Sequence, residues 1–311
     1  MAMDFIHQHG IRAVSAQRFD EVSRSNDACW VVEEETLTID VEGIGAYTLM
    51  WTPTELVTAP CGFTPGDGVL GEGGVPIVPE VLALAAGFAF TEGLFDRLDE
   101  IRSLSVCPDN RGVVRLALVD PQRAQVRRRN VVVGSSCGIC GGRERVEDVV
   151  RGIPPVGDTL RLAPDRLDGI MAAMRQRQAV WLATGGTHAA AIFDGGGRVL
   201  VIAEDLGRHN ALDKAIGQCL LAGVPLAGCG TALTSRVTLE MASKAARAGL
   251  ELVAAVSAAS SLAIEVTERF GITLCGFVRN GRATAFTHGR RLLAEDAVPA
   301  CGQLCKPLHI A

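Results

Sequence analysis

The chain has 311 residues, roughly two domains' worth at about 150 residues each. With 48% hydrophobic and 21% charged residues it has material for a full core, which excludes a disordered, collagen-like or coiled-coil protein. Thirty Lys and Arg against thirty-five Asp and Glu give a net charge of −5, so no overall basic field recruits nucleic acid, and one Tyr with three Trp offers no base-stacking platform.

In chain order, residues 1–27 are weakly patterned and read as a loose start without a hydrophobic signal core, so a cytoplasmic protein with reduced thiols is expected. From residue 28 to Met50 the apolar and polar residues alternate around Val41-Glu42-Gly43, which predicts two strands and a turn. A Gly/Pro-rich stretch at about 54–80 has neither period and reads as a long loop or insertion. Residues 81–94, VLALAAGFAFTEGL, predict a buried helix ending near Gly93; 111–119 and 125–133 predict strands, followed by a short helix over 143–151. Pro154-Pro155 marks the expected boundary between an N-terminal α+β domain (28–152) and a second domain (153–295), with a tail at 296–311.

The second half is more regular. AVWLAT (179–184), HAAAIFD (188–194) and RVLVIAED (198–205) predict strands, the last two joined by Gly195-Gly196-Gly197. Helices are expected over 210–222, 235–249 and 261–271, and strands over 252–257 and 273–278. Such alternation implies an α/β fold: a mixed, mostly parallel sheet with helices on both faces, plus the smaller α+β domain. Residues 215–235 are uncharged and long enough to span a membrane, but Gly223, Pro225, Gly228 and Gly230 break them into a helix end, a turn and a strand; no membrane segment is expected.

Three stretches carry the chemistry. In SSCGICGG (135–142), Cys137 and Cys140 form Cys-x-x-Cys among glycines, after Arg127-Arg128-Arg129. Cations and an open loop favour the reactive thiolate. The spacing alone leaves a buried pair, disulfide exchange, sulfur transfer and half of a zinc site open, with Cys301 and Cys305 the possible other half. In EDLGRHNALDKAIG (204–217), Asn210 is the expected helix cap, with Arg208 and His209 just before the positive end, an arrangement suited to an anion or to a solvated surface helix. TSR (234–236) reads as a second helix start, bringing Ser235 and Arg236; TGGTH (184–188) is a weaker glycine turn between strands, with His188. In GFVRNGRATAFTH (276–288), Asn280-Gly281 predicts a tight hairpin flanked by Arg279 and Arg282, whose forks suit phosphate oxygens. Asp205, Ser257 and Arg279 all fall at strand carboxyl ends, where open α/β sheets gather ligands.

FTEGL (90–94), SSCGICG (135–141), TGGTHAAAIFD (184–194), EDLGRHNALDKAIG (204–217), VSAASSLAIE (256–265) and GFVRNGRA (276–283) together resemble the formate dehydrogenase accessory sulfurtransferase family, of FdhD/NarQ type. The resemblance runs from about Glu33 to Arg291. It implies a sulfur carrier that accepts persulfide sulfur from a cysteine desulfurase and passes it to the molybdenum bis(molybdopterin guanine dinucleotide) cofactor of formate dehydrogenase; with glycines around the Cys pair and no deaminase Glu, no structural metal is expected. Cys137 then resembles the persulfide carrier and Cys140 its helper; Phe277, Val278, Arg279, Asn280, Gly281 and Arg282 resemble the cofactor-binding stretch, with Arg208, His209, Ser235 and Arg236 as further candidates and GDP as a mimic. The resemblance also implies a cytidine-deaminase-like second domain, a homodimer, and a cysteine desulfurase and the formate dehydrogenase catalytic subunit as partners. A zinc deaminase is excluded: His188-Ala189-Ala190 lacks the general-base Glu. A cofactor chaperone that transfers no sulfur and a thiol–disulfide oxidoreductase are the alternatives. The sequence departs from the family in the 54–80 insertion, at Ala259 or its neighbour in VSAASSLA, where a Pro is usual, and in the Cys301/Cys305 tail.

Overall fold

The computed structural model describes residues 9–56, 61–64, 78–124 and 146–293. Strands β1 (Ile11–Phe19) and β2 (Arg24–Val32) form an antiparallel ribbon. Residues expected to be a loose start are therefore paired strands; most of their side chains are exposed, so no apolar alternation betrays them.

The next strands are β3 (Glu35–Val41), β4 (Gly45–Trp51), β5 (Gly62–Phe63), β6 (Ile101–Cys107) and β7 (Asn110–Leu118). They make a five-stranded sheet in the order β4-β3-β7-β6-β5, antiparallel except for β3 against β7. Between β5 and β6 runs α1 (Glu80–Thr91), whose buried residues run unbroken from Glu80 to Phe90. A helix that is apolar on every side beyond Glu80 must be covered all round. One side of α1 meets the sheet, and the other meets α5 (Arg208–Leu221) at Gly87 and Gly217. A Cβ on Gly87 would lie 1.8 Å from the Asp213 carbonyl oxygen, and one on Gly217 1.8 Å from that of Ala83. Only glycine on both helices allows this approach.

After α2 (Val146–Val149), α3 (Arg166–Gln176) and α4 (Ala179–Thr184) come β8 (His188–Phe193), β9 (Val199–Asp205), β10 (Gly230–Leu233), α6 (Leu239–Arg247), β11 (Leu252–Ala255), α7 (Ser261–Phe270), β12 (Thr273–Arg279) and β13 (Arg282–Thr287). The six-stranded sheet has the order β13-β12-β11-β10-β8-β9; β10, β11 and β12 run parallel, and β8 and β13 oppose them. Residues of α3 cover one face and those of α5 and its neighbours the other. This is the mixed α/β architecture that alternating strands and helices predict, but the sheet is not mostly parallel as expected: the pairings of β8 with β9 and β10, and of β13 with β12, are antiparallel. One buried cluster runs from β3 and α1 through α5 to α6 and α7, so residues on both sides of Pro154-Pro155 share a core. No helix among the described residues is long and apolar enough to cross a membrane.

Residues 179–184 are a helix rather than the expected strand. A six-residue apolar run does not distinguish the two, and Trp181 and Leu182 are exposed. The helix is set by Glu204 of β9, which accepts hydrogen bonds from the amides of Val180 (3.1 Å) and Trp181 (2.7 Å). Accordingly Gly185 (φ 69°) caps a helix, and TGGTH joins helix to strand rather than strand to strand.

Candidate functional site

Strands β9, β10, β11 and β12 all end at one edge of the six-stranded sheet, and β8 begins there with His188. The residues that follow those ends are the ones singled out in the sequence. What each does depends on how much of its bonding capacity the fold has already taken.

In EDLGRHNALDKAIG the fold takes most of it. Glu204 caps α4 and also accepts from Thr187 Oγ1. Asp205 Oδ1 accepts from the Gly207 amide (2.8 Å) and from Asn210 Nδ2 (2.9 Å), holding the start of α5 from below. Asn210 is therefore not the cap: Gly207 holds that position, and the Asn210 amide also donates to the Met50 carbonyl (2.7 Å), tying α5 to β4. Lys214 Nζ lies 2.7 Å from Asp205, 2.6 Å from Glu80, 2.8 Å from the Thr52 carbonyl and 5.0 Å from the centre of the Trp51 ring. Burial alone would lower the Lys214 pKa; Asp205 and Glu80 outweigh it and hold it above its ordinary value. One residue earlier Asp213 binds Lys244 of α6 at 2.8 Å, with Thr91 and Glu92 of FTEGL completing that group. Only Arg208 and His209 remain at the edge.

Both are the first helical residues of α5, not residues preceding it. His209 Nε2 lies 2.8 Å from Glu240 Oε2, at the start of α6. Arg208 Nε is buried and has no hydrogen-bond partner. His188 Nδ1 is 3.5 Å from Thr234 Oγ1, and its pKa lies below the ordinary histidine value because of burial, then because of Arg208, Arg236 and His209. Those four side chains thus share one locality.

Ser235 and Arg236 do not open a helix. Val237 bridges to Ala259, the Val237 amide donates to the Ala258 carbonyl (3.0 Å), and α6 starts after Thr238. The buried Ser235 hydroxyl donates to the Arg236 carbonyl (3.0 Å), whereas Arg236 is exposed. Ala259 takes part in the bridge, and Ser260 Oγ caps α7 by accepting from the Ala263 amide.

The arginine turn has the predicted form. Asn280 (φ 52°) and Gly281 (φ 70°) both lie in the left-handed region, the signature of a type I′ hairpin turn, and Arg279 pairs with Arg282 across it. The Gly281 amide donates to Asp168 Oδ2, which fastens the turn to α3. Phe277 also has a positive φ (54°), at an irregularity of the β12–β13 pairing, and its amide donates to the Ser257 carbonyl (3.1 Å). Phe277, Arg279, Asn280, Gly281 and Arg282 are exposed; Val278 is buried in the core against α3, so only its backbone faces out. At about 4.8 Å between strands, the arm is roughly 14 Å from His188 along the edge. That span suits an extended ligand with more than one anionic group.

Cys137 and Cys140 lie outside the described residues, as do Arg127-Arg128-Arg129, the strand expected at 125–133, and Cys301 and Cys305. The stretch that holds the Cys-x-x-Cys is flanked by Ala124 and Val150, both in the shared core. Among the described residues no group of three or more His, Cys, Asp or Glu could hold a metal ion. Sequence reasoning missed Glu240, Asp168 and the Lys214 and Lys244 networks; Glu240 falls in the first turn of α6 only because that helix starts at Leu239 and not at 235.

Comparison with known proteins agrees with the motifs. The FdhD/NarQ family model matches residues 78–293. The sulfur carrier protein FdhD of Bordetella bronchiseptica is 35% identical over 85% of this chain and 87% of its own, and that of Thermoplasma acidophilum is 36% identical over 73% of this chain and 82% of its own. A crystal structure of a formate dehydrogenase accessory protein from Desulfotalea psychrophila superposes with a TM-score of 0.68, covering 91% of this chain and 99% of that one at 21% identity, a likeness of fold. By the span of the match and the identity to its relatives, this chain belongs to the FdhD/NarQ family.

Proposed function

We propose that this protein is a sulfur carrier in the maturation of formate dehydrogenase: Cys137 accepts sulfur from a cysteine desulfurase and delivers it to the molybdenum bis(molybdopterin guanine dinucleotide) cofactor held at the carboxyl edge. In the loading step the Cys137 thiolate attacks the outer sulfur of the desulfurase persulfide; the desulfurase S–S bond breaks, its thiolate leaves, and Cys137 carries the new S–S bond. The observation that carries the reading is the set of cations left at the edge after the fold has satisfied its other charges: Arg208 and Arg236 near His188, and Arg279 with Arg282 on the projecting arm. A dinucleotide cofactor presents pyrophosphates, which guanidinium forks and free helix amides bind.

Cys140 is the helper thiol, the Ser235 contribution is through its backbone, and the cytoplasm, a homodimer and contact with the formate dehydrogenase catalytic subunit belong to the same reading. So does kinship of the second half with the cytidine-deaminase fold. The test is activation of formate dehydrogenase in cells lacking their own carrier. The unaltered chain restores activity and Cys137→Ala does not; full activity with Cys137→Ala would refute sulfur transfer and leave the cofactor-chaperone alternative.

A further inference from the structure

His188 stands at the first position of β8, on the face that Ala190 and Ile192 turn towards α5. The groups around it come from every neighbouring element. Asp205 is opposite it on β9, but Asp205 is engaged by Lys214, Asn210 and the Gly207 amide. Helix α5 brings Arg208 and His209, and α6 brings Glu240, which faces His209. The residues after β10 bring Thr234 and Arg236. At 3.5 Å, the Thr234 hydroxyl is a weak partner for the ring, and the arginines beside His188, Arg208 and Arg236, are positive.

We propose that His188 is a proton-accepting ligand of this edge, taking up one proton from solvent when a pyrophosphate-bearing ligand binds and thereby becoming a further cation against it. In the unliganded protein a protonated ring would add to the charge of Arg208 and Arg236 in a half-buried place, and the ring stays neutral at neutral pH. A bound pyrophosphate places negative charge among the same groups and reverses the balance. Arg208, with its Nε buried and unpartnered, gains an acceptor in the same event. The ligand's affinity then becomes linked to pH through one histidine, strengthening as pH falls. This inference rests on the reading of the edge as a nucleotide site.

The experiment is calorimetric titration of the full chain with GDP, at one pH in two buffers of different ionisation enthalpy, for the unaltered protein, His188→Gln and His209→Gln. The unaltered protein takes up up to about one proton more per GDP than His188→Gln, and between about pH 6 and 8 its affinity changes by up to about tenfold per pH unit beyond the change in that variant. His209→Gln keeps the extra proton even where its affinity falls. Equal proton counts in the unaltered protein and His188→Gln, at measurable GDP affinity, would overturn the proposal, as would loss of the extra proton in His209→Gln. Absence of any GDP binding by the unaltered protein would overturn the nucleotide reading and this inference together. His188→Asn gives the same comparison if the glutamine variant does not fold.

Discussion

Lys214 and Lys244 lie at the interface of α1, α5 and α6; Arg208, Arg236, Arg279 and Arg282 lie at the carboxyl edge of the six-stranded sheet. In the first region the two ammonium groups are in the core, and each meets carboxylates and polar oxygens at 2.6–3.3 Å. In the second, Arg208 has a buried Nε without an acceptor, and none of the four arginines makes an ion pair among the described residues. Both regions draw on the same motif: Arg208 and His209 sit one to two turns from Asp213 and Lys214 on one helix. A buried charge with all its partners holds helices together. A charge left with unused donors at a sheet edge can engage an arriving anion.

Breaking the interior should have the largest effect. Lys214→Met leaves Asp205 and Glu80 facing each other in the core without their cation, and removal of one member of such a group costs about 3–5 kcal/mol. The urea unfolding midpoint should drop accordingly, and a loss under about 1 kcal/mol would mean that solvent reaches the site. Breaking the edge should cost affinity rather than stability. Arg282→Ala should weaken GDP binding by roughly ten- to a hundredfold, the equivalent of about 1.5–3 kcal/mol for a charge-assisted hydrogen bond, with the unfolding midpoint unchanged. Unchanged GDP affinity in the Arg279→Ala, Arg282→Ala double variant would make those arginines solvated surface residues and confine the anion site to the neighbourhood of Arg208.

Much of the second half was legible because its signals are local. The strands β8 and β9 are apolar runs closed by glycine turns, α7 has an amphipathic stripe ended by Gly271, and Asn280-Gly281 names its own turn type. What was illegible depends on partners far along the chain. Residues 179–184 become a helix through Glu204, more than twenty residues on, and Asn210 is drawn away from capping by a carbonyl of β4. The role of FTEGL needed Lys244 opposite it: Thr91 and Glu92 look like an ordinary helix end until α6 is in place. Composition could show that the charges were there, but their satisfaction is a property of the packed fold. The candidate ligands Arg279 and Arg282 could be found because the turn between them is local; the pairing of His209 with Glu240 could not.

The central claim is that Cys137 carries sulfur, and mass spectrometry tests it most directly. After incubation with a cysteine desulfurase and cysteine, the peptide containing Cys137 should gain one sulfur, about 32 Da, and the gain should be removed by a thiol reductant. The same treatment of Arg282→Ala should give the same gain, because loading precedes any contact with the cofactor. An unmodified Cys137 peptide, or an equal gain of sulfur by the whole protein in Cys137→Ala, would contradict the account.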